Sequence, residues 1–249
     1  MSFYLSFGSF RIPAYGCFIV LGVVTANLIA LHPLKRYRLD GNDFLITEAY
    51  LFLGAFLGAK LLYLAVHFSS IDWSQLTDFS YLNQVMQGGF VFYGGLAGGL
   101  TLLLVPLKLH HIDIFLYIRH FIFLIPWIHA WGRIGCHLAG CCYGRPWQGA
   151  MAVIYPAASL APSGVALFPV QLTEAVGLLI IAGGVFWLDI RKGYRHTVAS
   201  YLLFYSIWRF ILEYFRDDAA RGSFWIFSTS QWLSIGLLIG TIAYLYQKQ

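Results

Sequence analysis

Seven runs of mostly apolar residues, each close to twenty long, divide this chain of 249 residues. They fall at about 12–31, 45–67, 89–107, 112–131, 170–189, 197–214 and 230–246. The hydrocarbon of a bilayer is about 30 Å thick, and an α-helix crosses it in roughly 20 residues. Inside that layer no water satisfies an open backbone group, so a spanning segment is a helix or part of a closed barrel. Barrel strands need only about 9–11 residues, and these runs are twice that. Composition agrees: 59% of the residues are apolar and only 11% charged, whereas soluble domains are about one quarter charged. The expected fold is an all-α polytopic membrane protein with about seven transmembrane helices, residues 1–249 forming a single transmembrane domain. The first run has no basic start and no small-residue cleavage site after it, so it is expected to stay in the bilayer.

The segments between runs alternate in basic charge. One set carries eight cations, Lys35, Arg36, Arg38, Lys108, Arg191, Lys192, Arg195 and Lys248. The other carries five, Arg11, Arg133, Arg145, Arg216 and Arg221. The stretch from Ser69 to Gln87 holds Asp72 and Asp78 and no Lys or Arg. An excess of Lys and Arg marks the cytoplasmic side. The N-terminus is therefore expected outside, the C-terminus in the cytoplasm, and an arginine- and glycine-rich loop near 132–169 on the periplasmic side. The net charge of +5 is an orientation signal on this view. Its cations are scattered among apolar runs and make no nucleic-acid patch.

Lys60, Arg119 and Arg209 fall inside apolar runs. A fixed charge there costs several kcal/mol, roughly 2.5–3.5 by insertion scales. Lys60 is expected to snorkel toward an interface. Arg119 has His120 beside it, and its partner is left open. Arg209 has two candidate partners: Glu213 one turn on, with Arg216 joining them, or an anion, since guanidinium forks match phosphate oxygens in pairs. Arg133 and Arg145 bracket a segment with Gly132, Gly135, Gly140 and Gly144, where missing side chains allow a close approach to a ligand. Gly94-Gly95 and Gly88-Gly89 flank an aromatic triplet. The Gly95–Gly99 spacing suits a close helix contact, and the paired glycines suit a re-entrant loop equally well.

Of the four cysteines, Cys17 is expected to fill the first span. Cys136, Cys141 and Cys142 lie near His129 and His137, but there is no second distant ligand pair. Packed free thiols without metal are expected. The alternatives are a metal site at these residues and, on an oxidising side, a disulfide from Cys136 to Cys141 or Cys142.

Five blocks, in order, make the chain similar to the bacterial prolipoprotein diacylglyceryl transferases. Tyr15-Gly16 opens the first span. Gly88-Gly89-Phe90-Val91-Phe92-Tyr93-Gly94-Gly95-Leu96 resembles G-G-x-x-x-H-G-G-L. Gly132 to Arg145 resembles G-R-[IL]-G-N-x-x-N-G-E-x-x-G-R, and Phe168-Pro169-Val170-Gln171-Leu172-Thr173-Glu174 resembles H-P-[ST]-Q-L-Y-E. Tyr205, Arg209, Glu213 and Arg216 keep the spacing of Y-x-x-x-R-x-x-x-E-x-x-R. The departures are Tyr93 for histidine, Cys136 and Ala139 for asparagines, Cys141 for glutamate, Arg119 for an aspartate and Thr173 for tyrosine.

The resemblance implies transfer of a diacylglyceryl group from phosphatidylglycerol to the thiol of a lipobox cysteine in a preprolipoprotein, in the bacterial inner membrane. It implies Arg133, Arg209 and Tyr93 as catalytic residues. Tyr15, Gly94, Gly95, Gly135, Cys136, Gly144, Gln171, Glu174, Tyr205, Glu213 and Arg216 are the expected substrate-binding set. The partners are phosphatidylglycerol, the lipobox segment and membrane lipids. Displacement at a glycerol carbon requires no metal or redox cofactor. It needs the leaving phosphate held by donors in a dry site, which two guanidiniums supply.

Overall fold

The structure, a computed structural model, describes residues 4–7, 10–87, 89–157, 159–217 and 223–248. Gly88 and Arg221, named above, lie outside them. A two-stranded antiparallel ribbon of β1 (Tyr4–Phe7) and β2 (Phe10–Pro13) leads into α1 (Ala14–Tyr37). There follow α2 (Gly41–Val66), two short 3-10 turns, α3 (Phe79–Gln87), α4 (Phe92–Leu102) and α5 (Leu104–Leu109). Next come α6 (Ile114–Phe121) and α7 (Leu124–Ala139), then the ribbon of β3 (Val153–Ile154) and β4 (Ala166–Leu167). The chain ends with α8 (Val170–Lys192), α9 (Thr197–Glu213), the ribbon of β5 (Ser223–Phe224) and β6 (Phe227–Ser228), and α10 (Thr229–Gln247).

Each apolar run of the sequence is thus helical. Among the described residues, four helices are long and apolar enough to cross a membrane: Tyr15–Tyr37, Gly41–Val66, Phe92–Leu109 and Val170–Lys192. The pair α6 and α7, bent by 53° at its break, makes a fifth if it is one broken span. α9 is only 17 residues long, and α10 dilutes its apolar face with Thr229, Ser230, Gln231, Ser234 and Thr241. The chain is an all-α membrane protein with four to five candidate spans by length and composition, trimmed with three short β-ribbons.

The chain divides into two compact units, one of Arg38–Tyr117 and one of Met1–Tyr37 with Ile118–Gln249. Within Arg38–Tyr117, α2 packs on α4. Gly54 and Gly58 face Gly94 and Gly98, and a Cβ on Gly58 would run into the Gly94 carbonyl. Without a hydrophobic driving force between helices in lipid, such small-residue seams let backbones touch and gain dispersion energy. The closest row is therefore Gly94–Gly98, one residue before the Gly95–Gly99 pair that the spacing suggested. Gly95 and Gly99 line the next row, against Ala55 and Leu51. α4 is continuous from Phe92; residues 89–91 before it have no regular structure, with Val91 extended.

Lys60 is buried, and its Nζ donates to the carbonyls of Val85 at 2.8 Å and Met86 at 3.0 Å. These lie in the last turn of α3, where carbonyls lack partners within their own helix and attract cations.

In the other unit, α1 packs on α7, α7 on α8, α8 on α9 and α9 on α10. Ala130, Ala175 and Leu178 form its buried centre, with Ile134, Leu179 and Tyr205 packed around them. Asp189, buried at the far end of α8, accepts from His120 Nδ1 at 3.0 Å. Tyr37 stacks on that imidazole with ring centroids 3.9 Å apart. Arg119 does not share this pair: its carbonyl accepts from Thr197 Oγ1 at 2.6 Å, and its Nε has no hydrogen-bond partner among the described residues.

The segment from 132 divides differently from the expected loop. Gly132 to Ala139 complete α7. Their glycines serve the seam with α1: a Cβ on Gly135 would press on Tyr15 and Phe18. The irregular stretch starts at Gly140, which ends the helix in the left-handed region at φ 67°.

Candidate active site

Charged side chains from α7 and from the turn after α9 converge on Glu174 of α8. This carboxylate sits in the first turns of α8, 1% exposed. Arg133 on α7 brings Nε to 3.1 Å from Glu174 Oε1. Arg216 donates from Nη1 to Oε2 at 3.2 Å. The carboxylate is thus clamped from two sides. Arg216 reaches it because the chain beyond α9 is tied back: Arg145 N donates to Phe215 O at 3.0 Å, and Phe168 N donates to Arg145 O at 3.0 Å. Gly144 lies where these segments cross, and a Cβ there would strike the carbonyls of Phe168 and Phe215.

His129, one turn before Arg133, completes the α7 face. Arg133 Nε donates to His129 Nε2 at 3.2 Å. Guanidinium has no acceptor, so that ring nitrogen must carry a lone pair and the imidazole is the Nδ1–H tautomer. Its 3.8 Å approach to Glu174 is then a neutral contact.

Arg209, buried on α9, pairs with Glu213 one turn on, Nη2 to Oε2 at 2.8 Å. The same Nη2 donates to Ser230 Oγ on α10 at 3.0 Å. Ser230 had no signature in the sequence beyond its place beside Ser228 and Gln231, whose reciprocal bonds cap α10. The other terminal nitrogen, Arg209 Nη1, is buried and has no hydrogen-bond partner among the described residues. Buried donors are nearly always paired, so this atom marks a place where an acceptor is wanted. Between α9 and α10 there is also an apolar cleft of about 180 Å³, lined by Ile207, Phe210, Ile211, Ile235 and Leu238 with two serines; Arg209 is not among its lining residues.

A second group of polar contacts holds the start of the irregular stretch. Gln171 Nε2 donates to the Cys141 carbonyl at 2.8 Å. Tyr155 donates to Gln171 Oε1 at 3.3 Å and lies 2.9 Å from His137 Nδ1. Burial raises the phenol pKa of Tyr155 above its ordinary value, which keeps it a neutral donor. Tyr155 falls in no recognisable motif and was not legible as a site residue. Cys136, Cys141 and Cys142 are free thiols, and their sulfurs lie within 4.8 Å of one another.

Of the expected residues, Arg133, Gln171, Glu174, Tyr205, Arg209, Glu213, Arg216, Cys136, Gly135, Gly144 and Tyr15 all belong to one compact unit. Arg216 pairs with Glu174 there. Tyr205 packs its ring 6.2 Å from His129 and 5.7 Å from Tyr201. Tyr15 stands at the head of α1 over Gly135. Tyr93, Gly94 and Gly95 belong to the other unit, where Gly94 serves the α2–α4 seam.

Comparison with known proteins settles the relationship. A family model described as prolipoprotein diacylglyceryl transferase matches residues 2–247. The chain belongs to that family. Among curated members, it is 33% identical to phosphatidylglycerol–prolipoprotein diacylglyceryl transferase 2 of Clostridium perfringens, over 93% of this chain and 89% of the relative. It is 30% identical to the enzyme of that name, without the number, from Clostridium tetani, covering 92% and 90%. Against the Polynucleobacter asymbioticus enzyme the identity is again 30%, covering 94% and 91%. Family membership of this extent covers both units and every block of resemblance quoted above.

Proposed function

We propose that this protein transfers the diacylglyceryl group of phosphatidylglycerol to the lipobox cysteine of preprolipoproteins, from the outer face of the bacterial inner membrane. In this reading the chain crosses the membrane seven times, with its N-terminus outside and its C-terminus in the cytoplasm. The observation that carries the chemistry is Arg209 Nη1, a buried cationic donor with no partner among the described residues. Glu213 and Ser230 hold Nη2 of the same group, which fixes the plane of the guanidinium and aims the spare nitrogen. A phosphate oxygen satisfies such a donor with a charge-assisted bond.

Reaction then proceeds by displacement. The thiolate sulfur forms a bond to the terminal glycerol carbon as the carbon–oxygen bond to phosphate breaks. The electron pair leaves with the phosphate oxygen, and glycerol phosphate departs. Arg209 and Arg133 stabilise the charge growing on that oxygen, and Glu174, Arg216 and Glu213 orient them. The cationic surroundings also favour the thiolate over the thiol. His129 is not the base in this scheme, because its Nε2 lone pair is engaged by Arg133. The assignment of Tyr93, Gly94 and Gly95 to substrate rests on the resemblance, with Tyr93 positioning rather than taking the proton.

Purified protein given labelled phosphatidylglycerol and a lipobox peptide should yield a labelled thioether. Arg209→Ala and Arg133→Ala should each nearly abolish it. Lipid consumption without thioether would show that the acceptor is something else, and unchanged turnover in Arg209→Ala would remove the physical basis of the scheme.

A further inference from the structure

We infer that Cys136, Cys141 and Cys142 form a three-thiolate site for a thiophilic monovalent ion, copper(I). Two of these residues stand where the sequence departs from the family pattern, Cys136 for asparagine and Cys141 for glutamate. The departures are concerted in space: the three sulfurs lie within 4.8 Å of one another. Metal–sulfur bonds of about 2.3 Å place sulfurs about 4 Å apart around a shared ion, inside that span.

The backbone is shaped to bring them together. Cys136 is buried in the last turn of α7. Gly140 at φ 67° and Cys142 at φ 55° are both left-handed, and they flank Cys141 on either side. This double reversal turns the chain back over the helix end, with Cys141 N donating to Cys136 O at 3.1 Å. Left-handed backbone is uncommon at a residue with a side chain and persists where surrounding structure enforces it. Gln171 supplies that enforcement by holding the Cys141 carbonyl at 2.8 Å.

The donor set decides the ion. Soft thiolates select copper(I) and zinc over hard cations. Structural zinc takes four protein ligands, and among the described residues the cluster offers three. Three sulfurs alone suit a three-coordinate closed-shell ion. Binding is an exchange without redox change: three thiols and one copper(I) give a copper tris-thiolate of charge −2 and three protons. Arg133, one turn before Cys136 on α7, offsets part of that charge.

The test uses the full chain, purified in detergent and reduced, titrated with copper(I) against a chromogenic copper(I) chelator. One ion per chain should move from chelator to protein, with release of protons. Cys142→Ser and Cys141→Ser should lose at least tenfold in affinity, and Cys17→Ser should match the parent. Cys142 and Cys141 are only half-buried, so these variants keep the test valid even if Cys136→Ser misfolds. Absence of uptake, uptake undiminished in Cys142→Ser, or a disulfide among the three in the reduced protein by mass spectrometry would each overturn the inference. Thioether formation is a separate readout, so failure here and failure of the transferase reading are distinguishable.

Discussion

Replacing Glu174 by Gln keeps its size and removes the one charge that both Arg133 and Arg216 face. The two pairs stand at 3.1 Å and 3.2 Å. At an effective dielectric near 20, each is worth about 5 kcal/mol of gross attraction. Desolvation of three groups cancels most of that, and what remains visible is the penalty of stranding charge. Breaking a buried pair by deleting one partner costs about 3–5 kcal/mol. Glu174→Gln should therefore lose about that much stability, measured by reversible unfolding in mixed micelles. Glu174→Gln combined with Arg216→Met removes one of the two guanidiniums that had faced the carboxylate. It should recover part of the loss, with a coupling of about 0.5–3 kcal/mol. A loss below about 1 kcal/mol in the single variant, or no recovery in the double, would refute the view that Glu174 is the keystone of this cluster.

Tyr93→Phe should retain measurable transfer, while losing either Arg133 or Arg209 should cost about 10²–10³ in rate, the scale of one lost oxyanion donor; equal inactivity of all three would make Tyr93 a participant. Gly58→Ala should weaken the α2–α4 seam by about 1–3 kcal/mol through overpacking, lowering the thermal midpoint of the detergent-solubilised protein. Gly183→Ala, whose Cβ meets nothing within 4 Å, should leave that midpoint unchanged or slightly raised. Ser230→Ala should lower turnover modestly with little change in stability, because Glu213 still holds the same nitrogen of Arg209; a collapse in stability would show that Ser230 serves packing instead.

Much of the fold was legible because apolarity sustained over twenty residues has few physical solutions. All seven runs became helices. The ends moved where polar residues continue a helix past its apolar part: α1 runs on through Pro33 and Lys35 to Tyr37. The Arg209–Glu213 pair was legible because residues four apart share a helix face. The contact of Arg216 with Glu174 was not legible for the converse reason: it spans 42 residues to another helix, and periodicity within one segment says nothing of which helices meet. Gly132 and Gly135 read as loop because glycine content does not separate a turn from a close helix seam. The meeting of Cys136 with Cys142 was legible only as an alternative, because it depends on a left-handed residue that is not glycine. The partners of Lys60 were not legible because they are backbone carbonyls of α3, which leave no trace in side-chain pattern.

The unit that holds Glu174 is discontinuous in the chain: α1 belongs to it, but residues 38–117 separate α1 from its packing partner α7. During synthesis α1 therefore leaves the ribosome without a mate. At about 5–20 residues per second, α7 follows some 4–17 s later. For that interval the glycines of α2 and α4 are the contacts within reach, so the inserted unit can complete its own seam first. A chaperone or insertase that shelters a lone apolar helix would act on α1 in this window. Mutations on its α7-facing side, at Gly22 or Tyr15, should then show as lowered yield before they show as altered chemistry.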